Sequence, residues 1–425
     1  MQTNKVFDII GIGIGPFNLG LAALANAIPG LSCLFMDNNP SFQWHPGLML
    51  EGARLQVPFL ADLVTLADPS SKFSYLCFLK AMNRLTRFAI HENYYPTRKE
   101  YNQYCRWVAA QLPSLRFSRA CIGINYNEQN KLYTVTAGNT TNDTIETFHG
   151  KHLVIGTGTI PARPACAQKI QNPFVFHSGD YLFKTEQLKP IKDITIIGSG
   201  QSAAEIFQHL LTTRPDLEKL HWFTRSARFF PMEYSKLSLE MSSPDYIEYF
   251  FNLQPQQKKN VLAGQDRLYK GINFSLINEI YDLLYMRSLD ENAYLPHIAT
   301  SCELNSIEKS KTGFNLGFMH KETAKGFTHT TTAVILATGY QQHAPAFLEG
   351  IRHIIGWTED GHYNIRRNYS IDNHNTVFAQ NADLKSHGFN SADLGLGAYR
   401  NLEILNAIAG KACFDNEANV AFQFF

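Results

Sequence analysis

The chain has 425 residues, and its 38 lysines and arginines nearly balance its 37 aspartates and glutamates, for a formal net charge of +1. This length predicts two or three domains, and the balanced charge argues against nucleic acid or an anionic membrane as a partner. No run of about 18 apolar residues is present, so no membrane span is expected. The first strand begins too early for a signal peptide, and the seven cysteines lack paired or metal-binding spacing. We therefore expect a cytoplasmic protein with reduced thiols and no metal site.

The N-terminal stretch predicts a dinucleotide-binding unit. The apolar run 6–10 is typical of a buried parallel strand, and the glycine-rich residues 11–15 allow a tight turn close to a pyrophosphate. A helix from Phe17 would direct its N-terminal N–H groups at that anion. Asp37 ends the next apolar run, where a ribose hydroxyl is usually held, and Asn18 replaces the usual third glycine. The alternative is a glycine-rich turn in another α/β fold. The predicted contacts of this unit are Gly11, Gly13, Gly15, Pro16, Asn18 and Asp37.

The loop that follows the first unit supplies candidate contacts for a flat ring system. In a flavin-binding chain, Gln43, Trp44, His45 and Gln56 are candidates to line the isoalloxazine ring. The alternative is structural: Trp44 would be a core anchor and Gln56 a hydrogen-bonding loop residue.

The next segment combines two helices with a small antiparallel excursion. Apolar spacing predicts helices over 71–85 and from residue 96, where Thr97 and Glu100 resemble a capping box. Arg98 on the second helix would reach a cofactor phosphate, or it is simply solvated. Alternation between residues 122 and 148 predicts antiparallel strands, which lead into an apolar strand that ends in a Gly-Thr-Gly turn.

Residues 194–205 repeat the opening pattern of strand, glycine turn and helix, with Ala203 as the small third residue. Two such units predict a chain that binds two dinucleotides. The strand at 220–224 is followed by Arg225. An acidic residue at this position would suit a ribose that carries no phosphate. An arginine suits a 2′-phosphate, so the second unit favours NADPH over NADH, while the first favours FAD. The predicted contacts of the second unit are Gly198, Gly200, Gln201, Ser202 and Arg225.

The remaining chain predicts a helical insertion and two returning segments. Between residues 231 and 294 glycines thin out and aromatic residues take helical spacing. Strands then resume and end at a Thr-Gly-Tyr turn, and a tail with a last helix over 399–409 would complete the first domain. Expected NADPH contacts are Lys270, Asn273, Thr338, Gly339 and Tyr340, and Leu394 is an expected FAD contact.

The predicted fold class is therefore α/β, with two Rossmann-like dinucleotide-binding domains and a smaller helical insertion. The predicted domains are 1–190 with 341–425 for FAD, 191–232 with 295–340 for NADPH, and 233–294 for the substrate.

Together these motifs resemble the class B flavin monooxygenases, specifically the siderophore-associated branch that N-hydroxylates lysine, ornithine or diamines. The resemblance covers nearly the whole chain. Its most specific carriers are the Phe-Gln-Trp-His stretch at 42–45 and the segment 55–63, Leu-Gln-Val-Pro-Phe-Leu-Ala-Asp-Leu. The glycine turns alone would equally fit a disulfide-type flavin reductase, but the chain has no CxxxxC pair.

The resemblance implies FAD, NADPH and O₂ as reactants. NADPH would reduce the flavin, oxygen would add to give the C4a-hydroperoxyflavin, and a neutral amine would attack its distal oxygen. The protein would position the amine and keep water out, so no side chain is assigned as acid or base. Gln56 is expected near the flavin and Asn273 near the nicotinamide. The resemblance also implies a homo-oligomer, either a dimer or a tetramer.

Two departures from the family pattern bear on the substrate. Relatives that act on ornithine or lysine usually carry a lysine at the position of Ala61, and often an asparagine near Leu239. Those polar groups hold the carboxylate and α-amine of the amino acid. A buried carboxylate without partners costs several kcal/mol, so Ala61 and Leu239 argue for a plain amine. Putrescine or cadaverine fits best, and Asp393 and Glu240 are the candidates to hold its distal ammonium.

Other substrates and functions stay open at this point. Ornithine, lysine or histamine is the alternative within the same chemistry. A carbon- or sulfur-oxidising flavin monooxygenase would be distinguished by its product. A catalytically silent nucleotide-sensing protein would be distinguished by the absence of bound flavin.

Overall fold

The computed structural model describes residues 5–425, in which strands and helices alternate around two sheets whose central strands are parallel. The strands are β1 (Val6–Ile12), β2 (Cys33–Met36), β3 (Leu115–Arg116), β4 (Arg119–Asn127), β5 (Leu132–Asn139), β6 (Ile145–Ile155), β7 (Ile160–Pro161), β8 (Val175–His177), β9 (Asp193–Ile197), β10 (Lys219–Phe223), β11 (His297–Ala299), β12 (Cys302–Lys309), β13 (Phe314–His320), β14 (Lys325–Thr331), β15 (Ala333–Leu336), β16 (Tyr340–Gln341) and β17 (Val377–Ala379). The helices are α1 (Pro16–Ala25), α2 (Tyr75–Ala81), α3 (Leu85–His91), α4 (Arg98–Ala109), α5 (Tyr181–Leu188), α6 (Gln201–Thr213), α7 (Lys236–Leu239), α8 (Pro244–Asn252), α9 (Pro255–Gly264), α10 (Asp266–Tyr269), α11 (Phe274–Ser288), α12 (Leu384–His387) and α13 (Gly395–Ala409).

The first sheet is built around β1 and carries the N-terminal glycine turn at its carboxyl edge. Its strands run in the order β3-β2-β1-β6-β5-β4, and β17 also pairs with β6. β1 lies parallel to both β2 and β6, whereas β4, β5 and β6 form the predicted antiparallel excursion. Ile9 and Ile10 are fully buried at the centre of β1, as expected for a strand between two parallel neighbours.

The second sheet carries the other glycine turn in the same way. Its order is β11-β10-β9-β15-β8, and all of its pairs are parallel. The predicted α/β class with two Rossmann-like sheets is therefore confirmed. β8 lies upstream of the boundary predicted at residue 190, because the chain crosses to this sheet before it reaches β9. The division into domains otherwise stays a prediction.

The helices follow the sequence with two differences. The single helix predicted over 71–85 is instead α2 and α3, because the chain turns at Asn83, whose φ of 54° is left-handed. The last helix begins at Gly395 rather than near 399, where it packs against the start of α1. Thr97 caps α4, since its hydroxyl accepts the N–H of Glu100 at 3.2 Å. The predicted capping box is only half formed, because the Glu100 carboxylate pairs with Arg84 at 3.2 Å.

The predicted insertion 233–294 contains α7 to α11. Leu276 and Ile280 of α11 bury one face of that helix against α6. Among residues 5–425, no helix combines the length and apolar character needed to cross a membrane.

Candidate active site

Both glycine turns open onto one cleft at the carboxyl ends of the two parallel sheets. Its cavity has a volume of about 2750 Å³, whereas a pocket for one small ligand typically measures about 300–1,000 Å³. The space accommodates two dinucleotides and a small substrate. The predicted site residues that line it are Gly13, Gly15, Pro16, Asn18, Asp37, Gln43, Trp44, His45, Gln56, Gly198, Gly200, Gln201, Ser202, Arg225, Lys270, Thr338, Gly339, Tyr340, Asp393 and Leu394.

The first glycine turn forms an anion cradle at the start of α1. Gly13 has a φ of 87°, and a Cβ there would lie 2.4 Å from the carbonyl oxygen of Gly156, so a side chain is excluded. A Cβ on Gly15 would instead enter open space, with no atom within 4 Å. The N–H of Ile14 donates to Asp37 Oδ2 at 2.7 Å and holds the turn against the end of β2. This open turn before a helix N-terminus fits a pyrophosphate.

Asn18 and Gly11 shape this turn from beneath. The Asn18 side chain is 1% exposed, and its amide donates to the carbonyl of Gly13 at 2.8 Å. Longer contacts of 3.4 Å reach the carbonyls of Ile12 and Val154, so the amide ties the turn to β1 and β6. Gly11 lies inside β1 against the ring of Phe35 and does not line the cavity. Both residues support the cradle from behind.

The loop after β2 brings aromatic residues to the cleft wall. The backbone N–H of Trp44 donates to Asn102 at 3.0 Å, and the indole packs 5.2 Å from the ring of Tyr101 on α4. His45 follows with a left-handed φ of 47°, and its ring lies 6.1 Å from that of Tyr340. Trp44 thus serves as an anchor on α4 and as a cavity wall at the same time.

The second glycine turn repeats the geometry of the first. Gly198 has a φ of 145°, and a Cβ there would lie 2.1 Å from the carbonyl oxygen of Ala337. The indole N–H of Trp222 donates to the carbonyl of Gly198 at 2.6 Å, which holds the turn on β10. Arg225, just past β10, is exposed at the cleft, where its guanidinium is available to a 2′-phosphate.

A polar chain crosses the cleft between the two sheets. Gln56 donates to Gln201 Oε1 and to the carbonyl of Gly271, both at 3.4 Å. Gln201 Oε1 also accepts the N–H of Asn273 at 2.8 Å. Asn273 therefore does not line the cleft itself: its backbone N–H contacts Gln201, which does, and its side chain caps α11. Lys270 lines the cleft and pairs with Asp266 at 2.7 Å.

Arg98 is committed to a protein partner. Its guanidinium pairs with both carboxylate oxygens of Glu205 on α6, at 2.7 and 2.8 Å, and donates to the carbonyl of Leu48 at 3.0 Å. The two side chains are only 13% and 5% exposed. This pair uses the donors that would otherwise reach a cofactor phosphate, so neither alternative for Arg98, a phosphate contact or a solvated side chain, describes its position. Glu205 lies in the second glycine motif, but no local pattern indicates its partner 107 residues away.

Asp393 lies half-buried in the cleft wall, at the turn that leads into α13. Its Oδ1 accepts the N–H of Gly395 at 2.8 Å. Burial raises the pKa of this carboxyl, against the smaller effect of the Gly395 N–H. Among residues 5–425, no lysine, arginine or histidine forms an ion pair with Asp393. Among the described residues the carboxylate therefore has no direct ion-pair partner, and the more distant guanidinium of Arg400 lowers its pKa only against the larger effect of burial.

Ala61 lies beside this carboxylate, although it does not itself line the cavity. A Cβ placed on Gly395 would be 3.6 Å from Ala61 Cβ and 3.3 Å from Asp393 Oδ1. The two atoms are therefore no more than about 7 Å apart, and the methyl group of Ala61 offers Asp393 no polar contact.

Glu240 and Leu239 do not line the cavity. The carboxylate of Glu240 accepts the backbone N–H groups of Phe422 and Gln423, at 2.9 and 3.0 Å. Leu239 is 40% exposed at the end of α7. Glu240 is thus engaged by the C-terminal tail, and the expectation that it reaches the substrate is not supported by its position. The tail contact spans 182 residues, so no sequence motif could indicate it.

The sequence and the fold are similar to those of several known proteins. The family described as L-lysine 6-monooxygenase/L-ornithine 5-monooxygenase matches residues 5–342. A putrescine N-hydroxylase of Shewanella oneidensis is 47% identical over 99% of this chain and 84% of its own. A rhizobactin siderophore biosynthesis protein of Rhizobium meliloti is 38% identical over 99% of this chain and 95% of its own. The FAD-bound cadaverine monooxygenase DfoA of Erwinia amylovora, from the desferrioxamine pathway, superimposes with a TM-score of 0.96 at 46% identity, over 99% of both chains.

Proposed function

The chain belongs to the L-lysine 6-monooxygenase/L-ornithine 5-monooxygenase family, and from this premise we propose that it N-hydroxylates one primary amine of an aliphatic diamine, putrescine or cadaverine, in siderophore biosynthesis. The reaction consumes NADPH and O₂ and uses FAD. The carboxylate of Asp393 carries the proposal, because it lies in the cleft wall without a cationic partner among the described residues.

The residues of both glycine turns fit the two nucleotides. The open space at Gly15 receives the FAD pyrophosphate at the start of α1, and Asp37 lies at the end of β2, where a ribose is held. The turn from Gly198 to Gly200 receives NADPH, whose 2′-phosphate meets Arg225. Bound FAD, once reduced by NADPH, supplies the activation of O₂ and the delivery of one oxygen atom to nitrogen.

The protein's own contribution is to position the diamine and limit water. Asp393 holds the distal ammonium, so that the other amine extends into the cleft. Trp44 covers part of the cleft wall with apolar surface, and Gln56 with Gln201 fixes the distance between the two nucleotide sites.

The same region favours a plain diamine over an amino acid. A diamine offers Asp393 a positive charge and brings no carboxylate into the cleft. Ornithine would add a carboxylate near Asp393, and Ala61 offers it no donor. An uncompensated carboxylate there costs several kcal/mol.

A substrate panel tests the function. The purified protein, loaded with FAD, is offered putrescine, cadaverine, histamine, ornithine and lysine with NADPH, and the hydroxylamine product is quantified. We expect hydroxylamine from putrescine or cadaverine and little from the amino acids. Equal product from ornithine would contradict the role given to Ala61, and a sulfoxide or ester product from other substrates would point to a different monooxygenase. The hydroxylamine is measured rather than the consumption of NADPH, because NADPH that is oxidised without hydroxylation would otherwise be counted as activity.

The proposal extends to the cellular compartment and the oligomeric state of the enzyme. We infer a cytoplasmic enzyme that forms a dimer or a tetramer. The seven cysteines form no disulfide among the described residues, which supports a reducing compartment. Light scattering of the holoenzyme tests the oligomeric state.

A further inference from the structure

The last residues of the chain are held by two carboxylates of the helical insertion. We call residues 419–425 the C-terminal strap. Glu240 accepts the N–H groups of Phe422 and Gln423, at 2.9 and 3.0 Å. Asp245, in the first turn of α8, accepts the N–H groups of Asn419 and Ala421, at 3.0 and 2.8 Å. Four backbone donors of one short segment thus meet two carboxylates.

Side chains of the strap add to this contact. Gln423 Nε2 donates to Glu240 at 2.9 Å and to the carbonyl of Leu237 at 2.6 Å. The ring of Phe425 meets that of Tyr246 edge-on at 5.0 Å and lies 6.1 Å from that of Tyr249. The Phe422 N–H and, less strongly, the Gln423 amide hold the pKa of Glu240 below its ordinary value. The strap therefore contacts α7, the residue Glu240 that ends it, and α8.

The segment held by the strap borders the predicted ammonium site. Met241 directly follows Glu240, and its carbonyl accepts Asn390 Nδ2 at 2.8 Å. Ser242 comes next, and the proximity of its side chain lowers the pKa of the Asp393 carboxyl against the larger effect of burial. Asn390 lies three residues before Asp393 on the same turn. Residues 240–242 are thus fastened by the strap on one side and hold the Asp393 turn on the other.

We infer that Glu240 and Asp245 are positioning residues of the diamine site, which act through the C-terminal strap rather than by touching the substrate. The inference rests on the proposed function, since it assigns Asp393 to the distal ammonium. With the strap in place, residues 240–242 keep the Asp393 carboxylate at one position in the cleft wall. Without it, residues 240–242 are free to move away, and the turn that carries Asp393 loses the hydrogen bond between Asn390 and the carbonyl of Met241.

The strap contacts the helical insertion behind the Asp393 turn and contacts neither nucleotide turn. Its contacts lie with residues 237–249, whereas the glycine turns lie at 11–15 and 198–200. Loss of the strap should therefore raise KM for the diamine and leave FAD content and the affinity for NADP⁺ unchanged. A distal effect of this kind is expected to be smaller than removal of the charge itself.

The experiment compares three versions of the holoenzyme: Glu240→Ala, a chain that ends at Ala418, and the two changes combined. We expect each single change to raise KM for putrescine about tenfold with kcat within twofold. The combined version should be no worse than the truncated chain, because Glu240 has nothing left to hold. Asp282→Ala is the matched control, since Asp282 is an exposed acid of the same insertion with no hydrogen bond or ion pair among the described residues.

Two further measurements separate a positioning role from general loosening. Amide hydrogen exchange should rise in residues 237–245 of the truncated holoenzyme and stay unchanged at the nucleotide turns. Glu240→Gln keeps one acceptor oxygen, so its KM should fall between those of the native and alanine forms. A KM that is unchanged in the truncated chain would overturn the inference.

The outcomes also separate this inference from the proposed function. If Glu240→Ala raises KM further in the truncated chain, Glu240 contacts the diamine directly and the positioning role is wrong. If Asp393→Asn leaves KM for putrescine unchanged, the assignment of the ammonium site itself fails. If Asp393→Asn raises KM and both strap variants do not, only the strap inference fails.

Discussion

Replacing Asp393 by asparagine removes one charge from the cleft wall and keeps the shape of the side chain. The native carboxylate has no cationic partner within 4.0 Å among the described residues, so the ammonium of a bound diamine would be its counter-ion. We expect Asp393→Asn to raise KM for putrescine and to change kcat little, because the reacting nitrogen lies at the other end of the substrate.

The magnitude follows from the half-buried position of the carboxylate. Two unit charges about 4 Å apart interact by roughly 4 kcal/mol at an effective dielectric constant of about 20. Part of this is offset by the cost of desolvating the ammonium, and hydrogen bonds to charged groups contribute about 1.5–3 kcal/mol. A loss of about 2 kcal/mol corresponds to a rise in KM of roughly thirtyfold.

The assay measures hydroxylamine formation from putrescine and from butylamine, which has the same length and no second amine. The native enzyme should prefer putrescine strongly, and Asp393→Asn should remove most of that preference. KM for butylamine should stay nearly constant between the two proteins. If the substitution raises KM equally for both amines, the carboxylate does not bind the ammonium and the reasoning is refuted.

The pH dependence of KM for putrescine also tests the role of the Asp393 carboxylate. Burial raises the pKa of Asp393, so the carboxylate becomes protonated at a higher pH than an exposed aspartate would. KM for putrescine should therefore rise as the pH falls through that raised pKa, and this acid limb should be absent in Asp393→Asn. If Asp393→Asn shows the same rise in KM at low pH as the native protein, another group causes that rise.

Three further outcomes are expected. Ala61→Lys places an ammonium within reach of Asp393, so it should raise KM for putrescine at least tenfold, as measured by hydroxylamine formation. Arg98→Ala leaves Glu205 as a buried charge without its partner and should lower the free energy of unfolding in urea by about 3–5 kcal/mol. Burial lowers the pKa of His387 to about 4, whereas an unfolded histidine titrates near 6.5. The contribution of this group to stability should be present above about pH 6.5 and be lost as the pH falls toward 4, by roughly 1 kcal/mol at pH 5.5. His387→Gln should flatten this dependence in urea unfolding at pH 7.5 and 5.5.

Each of these has a matched control. Arg84 pairs with Glu100 on the same side of the molecule but is 36% exposed, so Arg84→Ala should cost less than about 1 kcal/mol. His353 is exposed, and His353→Gln should leave the pH dependence of stability as it is. Ala61→Ser adds no charge, so it should leave KM for putrescine within about threefold. Equal effects in variant and control would contradict the corresponding prediction.

The sequence by itself determined both nucleotide cradles, because each is encoded by contiguous residues. An apolar strand, glycines that must accept φ values of 87° and 145°, and a helix start occur within about a dozen positions. The Thr97 cap and the antiparallel strands between β4 and β6 were predicted for the same reason. The charge of Asp393 was also readable, since it depends on residue type alone, whereas the significance of Ala61 came from the resemblance to relatives that carry a lysine there.

The partners of charged side chains were decided only by the tertiary structure. Arg98 meets Glu205 across 107 residues, and Glu240 meets the strap across 182. Whether a carboxylate is free for a substrate depends on which other chain segments pack against it, and sequence spacing carries no information about that packing. For this reason Asp393 and Glu240 were equal candidates in the sequence, and only the packing of the C-terminal strap distinguished them.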